Sequence, residues 1–375
     1  MYPERNVSMS NEKLFAPLDQ LLEEFHRCGI PGLDCIDYHR GKCGYRRYIG
    51  WRDEENKIPM DGTEQFFLYS ASKPITCAAG LQLVEQGLLD LDSPLFHYMP
   101  EFAKMKVREG TELVPARNPI LVRHLFSMSA GFTYQLDLPY VQRFRERTGG
   151  LCPTGRLGSF LAEEPLIFHP GTGWEYSMCH DVLAALIEKV SGQRFSDYVK
   201  EHIFRPLGMD CSSFHREYPH PERMAEQYEY RQNVRCNCGK FLQMCDFGAE
   251  YESGGAGCVS STGDYIRFAE ALRLGHGILK PESVDLLASD QTTRLDRHVF
   301  DDWGMQRYGY GMGVRCPREG YDTTDFGWDG VAGALMAVDR KYEYSMFYAQ
   351  HVIGSSDRVD RFRLLPVIRE ACAQL

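Results

Sequence analysis

Residues 66–76 read FFLYSASKPIT, and within this stretch Ser70 stands three residues before Lys73. On a helix, residues three apart lie on the same face, so a helix here would place the lysine amine beside the serine hydroxyl. A serine hydroxyl becomes an effective nucleophile only when a neighbouring base takes its proton, and a lysine can be that base. The same spacing occurs at Ser10 and Lys13, where a polar tail makes a helix cap with a solvated lysine the simpler interpretation. The stretch 66–76 therefore predicts an acylating enzyme with Ser70 as its nucleophile.

Composition and charge exclude several classes of protein. The chain has 375 residues, of which 43% are hydrophobic and 25% charged, and its formal net charge is −10. That charge disfavours binding to phosphate backbones, and no basic run is interleaved with aromatic residues, so we expect no nucleic-acid partner. The N-terminus lacks an apolar signal segment, and no apolar stretch is long enough to span a bilayer. We therefore expect a cytoplasmic protein that is not attached to a membrane.

The thirteen cysteines are scattered rather than grouped at the spacings of a disulfide framework. Without an export signal, free thiols in a reducing cytosol are the simpler account. The one cluster, Cys236 and Cys238 with Cys245 further on, raises the alternative of a zinc site. A fourth ligand at suitable spacing is missing, and residues 237–239 resemble the tip of a hairpin. We expect neither a metal nor an organic cofactor.

Hydrophobic periodicity predicts strands near both ends of the chain and a mostly helical middle. The predicted strands are 32–38, 45–51, 308–316, 331–338 and 344–351. The predicted helices are 14–28, 78–86, 121–128, 179–190, 195–202, 262–274, 281–289 and 357–373. This order predicts an α+β architecture with a sheet domain formed by residues 1–75 and 300–375. Residues 76–299 would form an inserted helical domain, with the active site at the junction.

Further motifs follow the Ser70 stretch in order. They are 123–132 (RHLFSMSAGF), 168–182 (FHPGTGWEYSMCHDV), 206–209 (PLGM) with Ser213 and Phe214, 253–261 (SGGAGCVSS) with Asp264, Tyr265 and Phe268, and 327–333 (GWDGVAG). Together with Ser70 and Lys73 they resemble the serine β-lactamase-related superfamily, in particular the class C and esterase branch of the penicillin-recognising enzymes. The resemblance extends from about residue 14 to the C-terminus. It implies a β-lactamase/transpeptidase-like fold, an antiparallel sheet built from both chain ends and flanked by helices.

The resemblance also implies a role for each matching residue. Ser70 would be the nucleophile and Lys73 its base partner. Tyr176 would relay protons, first to the leaving group and later from the water that removes the acyl group. The backbone N–H groups of Ser70 and Val331 would form the oxyanion hole, in which one preorganised donor is typically worth about 3 kcal/mol of barrier.

The resemblance implies that the substrate contacts Tyr69, Met178, Trp328, Asp329 and Gly330. At two of these positions the sequence departs from the family pattern. Met178 stands where peptidases and β-lactamases of the family carry asparagine, and its thioether cannot donate a hydrogen bond. Trp328 replaces the lysine that binds a carboxylate, and the acidic Asp329 follows it. Charge complementarity for a penicillin or a D-alanine carboxylate is therefore missing. Both changes favour neutral esters.

Other interpretations stay open. The same three residues could serve a D-aminopeptidase or weak β-lactamase acting on amides, or an acyltransferase, and a non-catalytic binding protein could retain the fold. The expected partner is a small ester or amide, and the sequence leaves the oligomeric state open. His180 and Asp181 suggest a Ser-His-Asp triad, but they begin a helix with an apolar face, and the Ser-Lys-Tyr set leaves them no necessary role. A structural or rim position is expected for that pair. Residues 254–257 lack the strand-then-helix frame of a dinucleotide site.

Overall fold

The computed structural model describes residues 9–135, 139–214, 218–240 and 246–375 of the chain, with side chains from residue 13 onward. Twelve α-helices lie in this part of the chain: α1 (Met9–Arg27), α2 (Lys73–Glu85), α3 (Val122–Phe126), α4 (Pro139–Arg147), α5 (Leu157–Leu161), α6 (Cys179–Ser191), α7 (Phe195–Val199), α8 (Arg205–Leu207), α9 (Thr262–Leu274), α10 (Pro281–Leu287), α11 (His298–Phe300) and α12 (Leu364–Ala373). None of these described helices combines the length and the apolar character that crossing a bilayer requires.

The strands fall into one large sheet and several short pairings. They are β1 (Gly32–His39), β2 (Lys42–Asp53), β3 (Ile58–Pro59), β4 (Gln65–Phe67), β5 (Lys106–Glu109), β6 (Glu112–Pro115), β7 (Tyr228–Arg231), β8 (Val234–Asn237), β9 (Val259–Ser261), β10 (Tyr308–Tyr310), β11 (Arg315–Pro317), β12 (Asp325–Phe326), β13 (Leu335–Asp339), β14 (Tyr344–Gln350) and β15 (Val352–Ile353). The large sheet has six strands in the order β12-β13-β14-β1-β2-β3, and all its neighbours are antiparallel.

The two ends of the chain meet at the centre of this sheet. Strand β1 pairs with β2 on one side and with β14 on the other, so that Leu33 lies opposite both Ile49 and Gln350. The expectation of an antiparallel sheet assembled from both chain ends is confirmed.

Each face of the sheet is covered by helices because successive side chains of a strand point to opposite faces. On β14, Met346 and Tyr348 belong to the core shared with α1 and α12, and these two helices contact each other. On the opposite face Phe347 stacks on Tyr265 of α9, with ring centroids 4.0 Å apart. The second face opens into the larger core, in which α2 packs against α6. Helix α9 thus lies against the sheet, and the division into a sheet domain and an inserted domain stays a prediction.

Several boundaries differ from the sequence-based prediction, and α2 begins at Lys73, five residues before the helix predicted at 78–86. The strand predicted at 331–338 is wrong in its first part, because residues 331–333 form a turn and β13 begins only at Leu335. The Gly330 N–H donates to the Ala334 carbonyl at 2.9 Å, and Gly333 has a φ of 107°, which favours glycine. The strand predicted at 308–316 is divided into β10 and β11, which pair with each other apart from the large sheet. The last α-helix begins at Leu364, later than predicted.

Candidate active site

Ser70 lies in a single 3-10 turn, Tyr69–Ser72, between β4 and the first residue of α2. Tyr69 has a φ of 48°, an unusual conformation for a residue with a side chain, and its hydroxyl donates to Gln227 Oε1 at 2.6 Å. The Ser72 hydroxyl donates to the Tyr69 carbonyl at 2.5 Å and accepts from the Cys258 N–H at 2.9 Å. These bonds fix the turn and leave Ser70 half-buried at its surface. Strained backbone of this kind is concentrated at functional sites.

Lys73 is fully buried, and its amine reaches two oxygens. Nζ lies 3.3 Å from Ser70 Oγ and 2.8 Å from the Gly255 carbonyl oxygen. It also lies 4.4 Å from the ring centroid of Tyr176 and 5.3 Å from that of Tyr134. The structure therefore brings Ser70, Lys73 and Tyr176 together as the sequence predicts, with the amine close to both the hydroxyl and the phenol ring.

Tyr176 comes from the Pro-Gly loop before α6, which backbone bonds hold in place. The Trp174 N–H donates to the Asp296 carbonyl at 2.7 Å, and the Glu175 N–H donates to the Met128 carbonyl at 3.0 Å. The indole N–H of Trp328 donates to the Tyr176 hydroxyl at 3.4 Å. An N–H donor aimed at this oxygen stabilises negative charge on it and leaves the phenol proton free for another acceptor.

Val331 lies in the turn between β12 and β13, where its side chain is 43% exposed. A Cβ on Gly330 would overlap the carbonyl oxygen of Leu68, so this turn lies against the chain that leads into Ser70. Within the described residues, neither the Ser70 N–H nor the Val331 N–H has an acceptor. An oxyanion hole requires two such donors aimed at one point, and that these two form it stays a prediction.

The remaining predicted substrate contacts have different surroundings. Trp328 is buried, with its ring stacked at 5.9 Å on that of Tyr176. Asp329 forms an ion pair with Arg361. Met178 is buried at the start of α6. That these residues and Tyr69 contact substrate stays a prediction.

His180 and Asp181 are both buried in the core, not at a rim. His180 Nε2 lies 3.2 Å from the Phe126 carbonyl oxygen and 3.3 Å from Cys77 Sγ. Burial, together with the nearby charge of Lys73, lowers the pKa of His180 to about 3, so the ring is neutral. These contacts indicate a structural role for His180.

Asp181 holds the glycine-rich segment that supports Lys73. Its Oδ1 accepts from the Ser253 hydroxyl at 2.6 Å, from the Tyr251 hydroxyl at 2.8 Å and from the Gly255 N–H at 3.4 Å. The carbonyl of the same Gly255 binds the Lys73 amine. Burial raises the pKa of Asp181 above its usual range.

Sequence reasoning missed three neighbours of the site: the Gly255 carbonyl, Tyr134 and Trp303. The ring of Tyr134 stacks on that of Tyr176 at 5.4 Å, and the ring of Trp303 stands edge-on to it at 5.1 Å. Tyr134 comes two residues after the motif 123–132, a signal that could have found it.

The cysteine cluster shows no metal site in the described ranges. Cys236 lies on β8 and Cys238 just after it, so the hairpin tip is at residues 232–233 and not at 237–239 as predicted. Cys245 lies outside the described residues. Among the side chains that the structure describes, no group of three or more His, Cys, Asp or Glu could hold a metal ion.

Comparison with known proteins identifies the family of the chain. The family model of the Beta-lactamase family matches residues 18–366. The chain belongs to the Beta-lactamase family. It is 31% identical over 358 residues to Esterase EstB of Burkholderia gladioli, covering 88% of this chain and 87% of the relative. It is 30% identical over 266 residues to the monacolin J acid methylbutanoyltransferase of Aspergillus terreus, covering 66% and 63%.

Among solved structures, the fold is similar to that of EstCE1, described as a hydrolase with promiscuous acyltransferase activity. The TM-score is 0.78 at 24% identity, over 98% of this chain and 100% of the other. The family and the fold expected from the sequence are thus confirmed.

Proposed function

We propose that this chain is a serine hydrolase that forms an acyl-enzyme on Ser70 and hydrolyses small carboxylic esters. The broader class, an acyl hydrolase or transferase of the esterase type, is confirmed by the family and by relatives that are an esterase and an acyltransferase. The observation that carries the assignment to Ser70 is the 3.3 Å contact between its hydroxyl and the buried amine of Lys73.

In the first half of the reaction, the Lys73 amine takes the proton of Ser70 while Oγ bonds to the acyl carbon. The carbonyl oxygen becomes an oxyanion, which the N–H groups of Ser70 and Val331 stabilise. As the intermediate collapses, the bond to the alcohol oxygen breaks, and Tyr176 delivers a proton to that oxygen while Lys73 resupplies the phenol.

In the second half, water attacks the acyl carbon and loses a proton to the same relay. The carboxylic acid leaves, and Ser70 Oγ recovers its proton. The Trp328 N–H on the Tyr176 hydroxyl favours this role, because it stabilises the phenol oxygen while a proton is passing through it.

Neutral esters are favoured over amides and anionic substrates by the residues around this set. Asp329 is held in an ion pair with Arg361, and Trp328 offers a carboxylate no charge. Met178 has no donor for a substrate amide. We also propose a cytoplasmic location, which is supported by the twelve described cysteines that are free thiols.

An acyltransferase would use the same acyl-enzyme with an alcohol in place of water, and the relative from Aspergillus terreus is named as one. Adding an alcohol acceptor to an ester assay separates the two activities. For a hydrolase we expect an unchanged rate of acyl-enzyme turnover, whereas a transferase releases a new ester and turns over faster. Faster turnover of nitrocefin or a D-alanyl amide than of p-nitrophenyl esters would overturn the preference for esters.

The decisive test is labelling with a fluorophosphonate, with the adduct located by mass spectrometry. We expect the adduct on Ser70, and Ser70→Ala should lose labelling and at least about 10³-fold in kcat while far-UV circular dichroism is unchanged. The chain supplies its own matched control, since Ser10→Ala changes the other serine that stands three residues before a lysine. An adduct on another residue, or full activity in Ser70→Ala, would overturn the proposal.

A further inference from the structure

An exposed tryptophan lies at the rim of the aromatic cluster that surrounds Tyr176. Trp303 is 48% exposed, whereas Trp174, Trp328 and Phe300 of the same cluster are buried. Its ring stands edge-on to Tyr176 at 5.1 Å and to Trp174 at 5.6 Å. A single exposed aromatic residue needs no special explanation, but this one contacts the proposed proton relay while about half of its surface is open to solvent.

The turn that carries Trp303 is anchored on both sides. Arg297, nearly buried, binds Asp301 before the tryptophan through Nε at 3.0 Å and Nη2 at 2.8 Å. After the tryptophan, the same guanidinium donates to the Tyr308 carbonyl at 2.6 Å. Between these anchors the backbone turns at Gly304, whose φ is 81°. The turn that carries the exposed indole is therefore already held in place, so ligand binding costs little conformational entropy there.

The position of Trp303 relative to the reaction follows from its contact with Tyr176. Under the proposed function, on which this step rests, Tyr176 delivers the proton to the departing alcohol. Among the described rings that contact Tyr176, Trp303 is the exposed one, so an alcohol that leaves toward solvent passes along its ring. The exposed carboxylate of Asp302, the preceding residue, makes this rim unfavourable for an anionic group.

We propose that Trp303 determines specificity for the alcohol portion of the ester, and that the preferred substrates are neutral esters of aromatic or flat apolar alcohols. The aromatic alcohol packs against the exposed indole while the ester carbonyl faces Ser70. Because this contact is made in the bound substrate as well as in the transition state, its loss acts mainly on KM.

The test compares esters that differ on one side only: ethyl acetate, benzyl acetate and ethyl phenylacetate. For Trp303→Ala we expect kcat/KM to fall about tenfold on benzyl acetate through a higher KM, and less than twofold on the two ethyl esters. Trp303→Phe should recover most of the loss. Tyr48→Ala is the matched control, since it removes a 44% exposed aromatic ring on β2, and it should leave all three rates unchanged.

Other patterns of loss among the three esters would contradict the role of Trp303. An equal loss on all three esters, or a loss confined to ethyl phenylacetate, overturns the inference. Titration of active enzyme with the fluorophosphonate corrects every rate for unfolded protein, so instability of a variant cannot imitate selectivity. The proposed function fails separately, if Ser70→Ala still turns over benzyl acetate.

Discussion

Replacing His180 by glutamine tests whether this buried histidine, which lies next to the candidate site, is neutral in the folded protein. His180 is fully buried, and its Nε2 contacts the Phe126 carbonyl and the Cys77 sulfur. Burial and the charge of Lys73 lower its pKa from 6.5 to about 3. The unfolded chain binds a proton at this histidine below about pH 6.5, whereas the native protein does not until about pH 3. The contribution of the neutral His180 to the free energy of unfolding is therefore fully present above pH 6.5 and is lost as the pH falls from 6.5 toward 3.

The size of the effect follows from linkage. Between pH 7 and pH 5, proton binding by His180 in the unfolded chain alone lowers the free energy of unfolding by about 2 kcal/mol. Glutamine removes this titration while its amide can still donate to the Phe126 carbonyl. Every other titrating group is common to both proteins and cancels in the difference between them. We expect His180→Gln to be less stable than the parent at pH 7, and this deficit to shrink by about 2 kcal/mol at pH 5.

Urea unfolding at pH 5, 6 and 7, with m-values compared to confirm the same transition, measures this difference. The control is His298→Gln, because Asp296 raises the pKa of the exposed His298, so that its contribution is present at low pH and is lost as the pH rises. That variant should show a deficit that grows toward pH 5. A deficit of His180→Gln that is the same at pH 5 and pH 7 would refute a neutral, buried His180.

Two further predictions concern the supports of the site. Asp181→Asn weakens the acceptor that holds the Gly255 segment, whose carbonyl binds the Lys73 amine, so kcat should fall about tenfold with the protein still folded; an unchanged kcat would contradict that support. Gly330→Ala adds a Cβ that overlaps the Leu68 carbonyl, and the displaced turn should cost about 10²-fold in kcat with the protein still folded. Gly41→Ala, where a Cβ meets open space, should keep full activity, and equal activity of the two variants would show that the turn beside Leu68 tolerates displacement.

Much of the fold could be predicted because hydrophobic periodicity is a local property of the sequence and needs no knowledge of long-range contacts. Helix α9 has the predicted bounds, and β14 differs from the prediction by one residue. The prediction failed where backbone hydrogen bonding decides the outcome. The apolar residues Val331 and Ala332 are typical of a strand, but the bond from Gly330 to Ala334 closes a turn there.

The site could be predicted to the extent that its chemistry resides in side chains. Ser70, Lys73 and Tyr176 come together as expected. The carbonyl of Gly255 could not be found, because every residue has a carbonyl and only the fold decides which one faces the amine. Trp303 was missed for a related reason, since its segment carries no motif and its contact with Tyr176 depends on the anchoring of a turn by Arg297.

Because β1 pairs with β14, the large sheet can be completed only late in the synthesis of the chain. Ribosomes deliver Ser70 and Lys73 about 260 residues before β13 and β14 are available to complete the sheet, and the turn with Val331 arrives just ahead of those strands. A nascent chain therefore carries the serine without the second N–H donor that the proposed chemistry needs. Under the proposed chemistry, acyl transfer to Ser70 can therefore begin only after the C-terminal strands have joined the sheet.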